Sequence, residues 1–564
     1  MSIHVPSIKY ERYTVESVET ALKQITVELK NAKSADEIIK LRKEAEEILI
    51  NFSTASTIAY VRFTQNTRDE FYLNEKNYYD EVAPILSGYV ITMIKEIMSS
   101  PFADEVFSKL PKPLKSMYEC KIKSFDEKII EDMQLEATIV TEYSKLMSEM
   151  SFDFNGEKMP LAMLKKYMQD KDRSVREKAY NVLGETLQAN SKALDELFDK
   201  LVKIRTKMAR KLGYENYIEL GYNIMERICY NQKDVEKMRA NILKDIVPII
   251  TKLRVSRAKQ MGIDEMKIYD YESEFANGDP TPVLNDEDMF EAGKQMYHEM
   301  NPNTADFIDE MLANEAFDYK CRDGKWGGGY MTEFQRYKQQ FILANFNGTS
   351  ADVDVLTHEV GHAFAGFMLN KNDVDYEINM GGMETAETHS MSMEFFCWKW
   401  MDKFFGERAN DYRYKHLLEC FSFLTYGIIV DYFQHVVYAN PDMTPAERNA
   451  AWAEMEKQFR PYMNANGITY LENGTRWQYQ AHIYERPFYY IDYVIAQTTA
   501  LQFLIESQKD YDNAFKRYYE LLEQGGAKFY TTLLKEANLK SPFEEGALRD
   551  VAIEIEQLVE KLGK

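Results

Sequence analysis

Two histidines and a glutamate carry the strongest chemical signal in this sequence. They stand in the run Thr357-His358-Glu359-Val360-Gly361-His362. On a helix, residues four apart lie one above the other, so His358 and His362 share a face. Two imidazole nitrogens so placed can bind one zinc ion. Zinc lowers the pKa of its bound water to about 7. Glu359, three residues before His362, projects beside the metal and can take that water's proton as hydroxide attacks a carbonyl. With eight histidines in 564 residues, chance supplies only ~0.02 such spacings per chain. The spacing therefore points to metal-assisted hydrolysis. His4, His298, His416 and His435 have no comparable spacing and read as structural residues.

Zinc needs a third protein ligand and one open position. No third histidine or Cys-x-x-Cys pair lies close to the motif. A second helix, expected from about Met383 to Phe405, opens Glu384-Thr385-Ala386-Glu387-Thr388-His389-Ser390. Glu384 and Glu387 share a face at i,i+3, and Glu387 continues to Glu394 at i+7. His389 is turned away from Glu387, so both cannot easily face one metal. Spacing leaves Glu387, Glu384 and His389 as candidates. Asp354, one turn before His358, can accept that histidine's other N–H and fix its tautomer.

These side chains need rigid elements to hold them. Apolar residues recur at helical spacing over Val15–Asn31, Ser34–Asn51, Asp126–Ser151, Ser174–Lys211, Gln232–Met261, Asp286–Met311, Thr444–Phe459 and Pro542–Leu562. The expected class is mostly α. Thr349 is placed to cap the motif helix, with Asp352 completing an acidic capping box. One stretch differs. Asp318–Phe346 alternates and holds Gly327-Gly328-Gly329-Tyr330 and Gln340–Phe346. It predicts a small sheet beside the motif helix. The glycine run with Tyr330 reads either as a flexible hairpin or as an edge strand. An edge strand can pair with an extended peptide through main-chain hydrogen bonds.

Composition narrows the partners. The net charge of −22 repels phosphate backbones, so nucleic acid is not an expected partner. The five cysteines are scattered and form no pair motif. They read as buried small hydrophobes in a reducing cytoplasm. No signal peptide is visible at the N-terminus, and no apolar run reaches the ~18–20 residues that span a bilayer. A membrane partner is therefore not expected.

Hydrolysis of a peptide also needs a hydrogen-bond donor for the carbonyl oxygen as it gains charge. His482, Tyr489, Tyr490 and Tyr493 are concentrated in one short segment. Tyr490 and Tyr493 are one turn apart if the segment is helical. From the residues alone, such an aromatic stripe can equally be core.

The sequence resembles the oligoendopeptidase F and thimet oligopeptidase group of zinc peptidases. The likeness rests on His358-Glu359-Val360-Gly361-His362-Ala363-Phe364 and on Glu387-Thr388-His389-Ser390. It also rests on the glycine-rich segment ahead of the motif and on His482-Ile483-Tyr484-Glu485-Arg486-Pro487-Phe488-Tyr489-Tyr490-Ile491-Asp492-Tyr493. A weaker match begins at Lys211-Leu212-Gly213-Tyr214. The resemblance implies a two-lobed helical shell around a deep substrate channel. It divides the chain into an N-terminal helical lobe, 1–185, and a catalytic region, 186–564. It implies one zinc per chain with Glu387 as third ligand, Tyr493, His482 and Tyr490 on the oxyanion side, and oligopeptides as substrates. Two departures stand out. His389 occupies a position where proline is common, and the spacing from His482 to the tyrosines differs by about one residue. Two other readings share the motif: a zinc exopeptidase, with Arg486 or Glu384 clamping a chain end, and a peptide-binding protein without catalysis. Binding alone has no use for Glu359.

Overall fold

Helices form wherever the apolar period is close to 3.6, and a computed structural model places them along most of the chain. It describes residues 3–271, 273–465 and 467–563. The first helix, Val15–Asn31, has the expected bounds. The second runs on to Gln65. Ser34 caps it, accepting from the Glu37 amide at 3.2 Å. The apolar run expected over 286–311 breaks at Asn301-Pro302 into two helices, because proline has no amide to continue the first.

The strands are few and short. A hairpin pairs β1 (Phe152–Phe154) with β2 (Glu157–Met159). The other sheet has three strands, β3 (Phe317–Lys320), β4 (Tyr330–Phe334) and β5 (Gln339–Phe346), in the order β3-β5-β4. β3 runs parallel to β5 and β4 antiparallel to it. The mostly α class with a small sheet leading into the motif helix is as expected. The glycine run is not strand. β4 begins at Tyr330, and Gly327–Gly329 form the loop before it. The Trp326 ring covers Gly328 so closely that a Cβ there would overlap it.

The chain divides into two compact units, each assembled from three segments. The first holds 1–127, 281–409 and 502–539, and so contains the three-stranded sheet, the motif helix and the second helix. Within it, Arg42 is buried and pairs with Asp375 at 2.8 Å and Glu377 at 2.6 Å. That pair ties Ala35–Gln65 to the loop between the motif helix and the second helix. Breaking such a buried pair costs about 3–5 kcal/mol. The second unit holds 128–280, 410–501 and 540–564. Its longest helix, Arg173–Leu212, ends at Gly213 in the left-handed conformation.

Two stretches, Glu70–Ser99 and Met383–Ala439, have the length and hydropathy to cross a bilayer, where the sequence reading found no run of that length. Glu70–Ser99 packs against Val15–Asn31 and Ala35–Gln65. The apolar window of the other is 67% buried and its span contains Glu387, as suits a core helix. The cysteines also depart from expectation. Cys120 and Cys397 are buried, Cys229 and Cys420 half-buried, and Cys321 exposed.

Candidate metal centre and catalytic site

The motif helix spans Ser350–Lys371. Thr349 is its N-cap, but its hydroxyl donates to Asn347 Oδ1 at 2.7 Å and does not cap the helix. Asp352 supplies the anchor, accepting from the Asn347 amide at 3.0 Å and the Gly348 amide at 2.6 Å. The second helix is shorter than expected. It spans Met383–Phe396, and a 3-10 turn, Cys397–Trp400, separates it from Met401–Phe405. Every residue from Glu384 to Met393 is buried. Such a helix has no solvent face, so its role cannot be read from amphipathicity.

Gly361 explains how close the two helices lie. A Cβ at that position would stand 2.7 Å from Ser390 Cα and 2.9 Å from the His389 carbonyl oxygen. Only glycine permits that approach, and the approach brings Glu387 to the histidines. Glu387 Oε2 lies 3.5 Å from Nε2 of both His358 and His362. The imidazoles themselves stand nearly perpendicular, with centroids 5.0 Å apart. Ligands about 2.0–2.1 Å from a tetrahedral ion lie about 3.4 Å from one another. The donor set, two imidazoles and a carboxylate, suits zinc, and its separations match that geometry. Glu384 and His389 are not among the three groups gathered there. Burial holds His389 down to about 3, and both its ring nitrogens lack a hydrogen-bond partner.

The carboxylate beside His358 Nδ1 is Glu394, at 2.6 Å, in the place the sequence reading gave to Asp354. One helix thus supplies both groups, Glu387 and, two turns on, Glu394. The i+7 relation was visible in the sequence, but its use depends on the angle at which the helices cross. Ser390, not anticipated, donates to Glu387 Oε2 at 3.2 Å. Burial pushes His358 toward the neutral form. Hydrogen bonds donated to the Glu387 and Glu394 carboxylates, and the negative charge of both, outweigh it and hold its pKa well above the usual histidine value. Burial pushes Glu387 up, but the two histidines hold it below the carboxylate range. Glu359 follows His358 directly and is half-buried.

The second unit gathers the aromatic cluster. His482 lies 5.0 Å from Tyr490 and 6.0 Å from Tyr493, centroid to centroid, and Tyr490 lies 5.6 Å from Tyr493. A helix opens at Tyr490, so Tyr490 and Tyr493 are one turn apart. Tyr489 is buried, while His482, Tyr490 and Tyr493 are half-buried. The turn that aims them is built on Phe488, which has a left-handed φ of 66°. Its amide donates to Gln434 Oε1 at 2.9 Å, and the Arg227 guanidinium donates to its carbonyl. His482 Nδ1 is held 2.9 Å from Gln480 Nε2. Tyr330 opens β4 and shares a hydrogen bond with Thr64 at 2.5 Å.

Comparison with known proteins places the chain among peptidases. The family model described as Peptidase family M3 matches residues 166–553, and that of the Peptidase M3 N-terminal domain matches 6–125. Among solved structures, Pz peptidase A with an inhibitor is 40% identical, with 99% of each chain covered and a TM-score of 0.93. A structure assigned as an oligoendopeptidase F is 39% identical, with 99% of each chain covered and a TM-score of 0.93. Another so assigned, from Bacillus anthracis str. Ames, is 37% identical, covers 99% of this chain and 98% of that one, and has a TM-score of 0.88. No curated protein sequence matches.

Proposed function

This chain belongs to peptidase family M3, and we propose that it is a zinc-dependent endopeptidase that cuts internal bonds of short unstructured peptides. That it is a metallopeptidase acting on oligopeptides follows from the family and the structures it matches. The observation that carries the finer reading is the meeting of His358, His362 and Glu387 around one point, with Glu359 next to a ligand. One zinc would be held by those three residues and would supply an acidic water and a Lewis acid for the carbonyl.

The protein's own groups do the rest. Glu394 accepts from His358 Nδ1, which fixes the tautomer and turns Nε2 toward Glu387. Ser390 steadies the Glu387 carboxylate. Glu359 accepts the water's proton and passes it to the leaving amine, so proton donor and acceptor are one side chain. The roles of Tyr493, His482 and Tyr490 as donors to the oxyanion rest on the resemblance of their segment and on their clustering. β4 hydrogen-bonds to β5 on one side and lies at the sheet's edge. Pairing of an extended peptide along that edge, entered from the Gly327–Gly329 loop, would read backbone rather than side chains. It would also exclude substrates that cannot unfold locally.

An internally quenched peptide blocked at both ends tests the reading. Cleavage between fluorophore and quencher is expected. Cleavage only after one end is freed would mean an exopeptidase, and binding without turnover a peptide-binding protein.

A further inference from the structure

Two buried arginines of the second unit grip the backbone of the segment that carries His482, Tyr490 and Tyr493. Arg205 donates to the Ile483 carbonyl at 3.4 Å and to the Tyr484 carbonyl. Its charge is answered by Glu136 at 2.6 Å, and its Nη1 also donates to the Tyr438 hydroxyl at 2.9 Å. Arg227 is held more sparsely. Its Nη2 donates to the Phe488 carbonyl and lies 3.6 Å from Asp492 Oδ1. Its Nε and Nη1 have no hydrogen-bond partner among the described residues. A cation so placed is a weak source of stability, because the water it gives up offsets the attraction it gains. What it supplies is direction. A planar guanidinium fixes the orientation of a carbonyl, where apolar contact would let it turn.

The turn at Phe488 needs such direction. Its φ of 66° is unfavourable for any residue with a Cβ. The turn persists because ring, amide and carbonyl are each held separately. The ring sits among Tyr222, His435 and Tyr438, with centroids 5.7, 4.9 and 5.5 Å away. Gly221 leaves it room, since a Cβ there would stand 2.6 Å from Phe488 Cδ2. Gln434 takes the amide and Arg227 the carbonyl. A further contact ties the turn to the helix that follows. Asp492 lies in the first turn of Tyr490–Lys509 and accepts from the buried Tyr230 hydroxyl at 2.7 Å. Tyr490 and Tyr493 stand on that same turn. The direction in which they point is therefore set by Arg227, Asp492 and Tyr230.

We infer that Arg227, Asp492 and Tyr230 are positioning residues for peptide hydrolysis, acting through Tyr490 and Tyr493. The inference rests on the reading of those tyrosines as oxyanion donors. It adds that their placement depends on a buried charge pair and one phenol behind them.

The test is a double-mutant cycle on zinc-loaded full-length protein, read with the doubly blocked quenched peptide. Arg227→Lys keeps the charge beside Asp492 but loses the planar fork. Its kcat should fall about 10²-fold, the scale for a small misplacement of a catalytic group. KM and bound zinc should stay at the parental values. In a Tyr493→Phe background the same substitution has little left to misplace. The double variant should then match Tyr493→Phe alone within about twofold. A residue that only supports the fold would cause the same loss in either background. An unchanged kcat in Arg227→Lys, or a loss that multiplies in full with that of Tyr493→Phe, would overturn the inference. If Tyr493→Phe leaves kcat unchanged, the cycle is run on Tyr490→Phe. If neither single variant lowers kcat, the donor assignment itself has failed and the inference falls with it. Tyr230→Phe decides the matter should Arg227→Lys not fold. It removes one hydroxyl and keeps both charges. It should lower kcat at constant KM, and only where the donor tyrosine is intact. Parental kcat in Tyr230→Phe would overturn the inference.

Discussion

Glu359 has to accept one proton while its neighbours on the motif helix hold metal. Glutamine at 359 keeps the shape and still orients water, but it cannot take a proton at neutral pH. Glu359→Gln should therefore retain zinc and lose kcat by roughly 10²–10⁴-fold, the range for a positioned general base. Metal analysis and steady-state kinetics on one sample check both halves, and near-parental turnover would remove Glu359 from the role. Tyr493 is assigned to the transition state and not to ground-state binding. Tyr493→Phe should lower kcat far more than it raises KM. The scale is about 2.7–4 kcal/mol, as for one oxyanion donor. An unchanged kcat would move the role to Tyr490 or His482, whose rings lie 5.6 and 6.0 Å from that of Tyr493.

The contact between the motif helix and the second helix depends on Gly361, and this makes the metal centre sensitive to one methyl group. Gly361→Ala would drive a Cβ into Ser390 Cα and the His389 carbonyl. The helices must separate, at about 1–3 kcal/mol for an overpacked core site, and Glu387 moves off the histidines. Lower thermal stability together with weaker zinc binding is expected. A variant that kept parental zinc affinity would show that Glu387 is not held by this approach. A second test lies in β4. Glu333 accepts from Asn370 Nδ2 at 2.5 Å, and burial raises its pKa from 4.5 to about 7. The folded state then holds this proton more tightly than the unfolded chain. Glu333 contributes no penalty below about pH 4.5, and its penalty grows as pH rises to about 7. Glu333→Gln should therefore gain Tm relative to the parent across that window, and a flat difference would contradict it. Much at this scale was legible in the sequence. The four-residue spacing of His358 and His362 needs only helix geometry. Glu394 was harder, because a partner one turn back on the same helix is easier to picture than one on a crossing helix. The glycine run left a flexible hairpin and an edge strand open, because glycine permits a strand but does not require one, and the structure has a loop there with the strand beginning at Tyr330.

Over the whole chain, the sequence announced a mostly helical protein with a small sheet ahead of the motif, and the structure has both. What it could not announce was that each compact unit draws on three separated segments, because such assembly depends on contacts between residues hundreds of positions apart. The metal ligands fall in the first unit and the aromatic cluster in the second. The proposed catalysis needs one metal ion, so metal-free protein should have no activity. The direct measurement is a zinc titration of chelator-stripped full-length protein, following cleavage of the doubly blocked quenched peptide. Activity should rise from zero in proportion to added zinc and level off at one equivalent per chain. Full turnover in the stripped protein, or a plateau at two equivalents, would contradict a single zinc held by His358, His362 and Glu387.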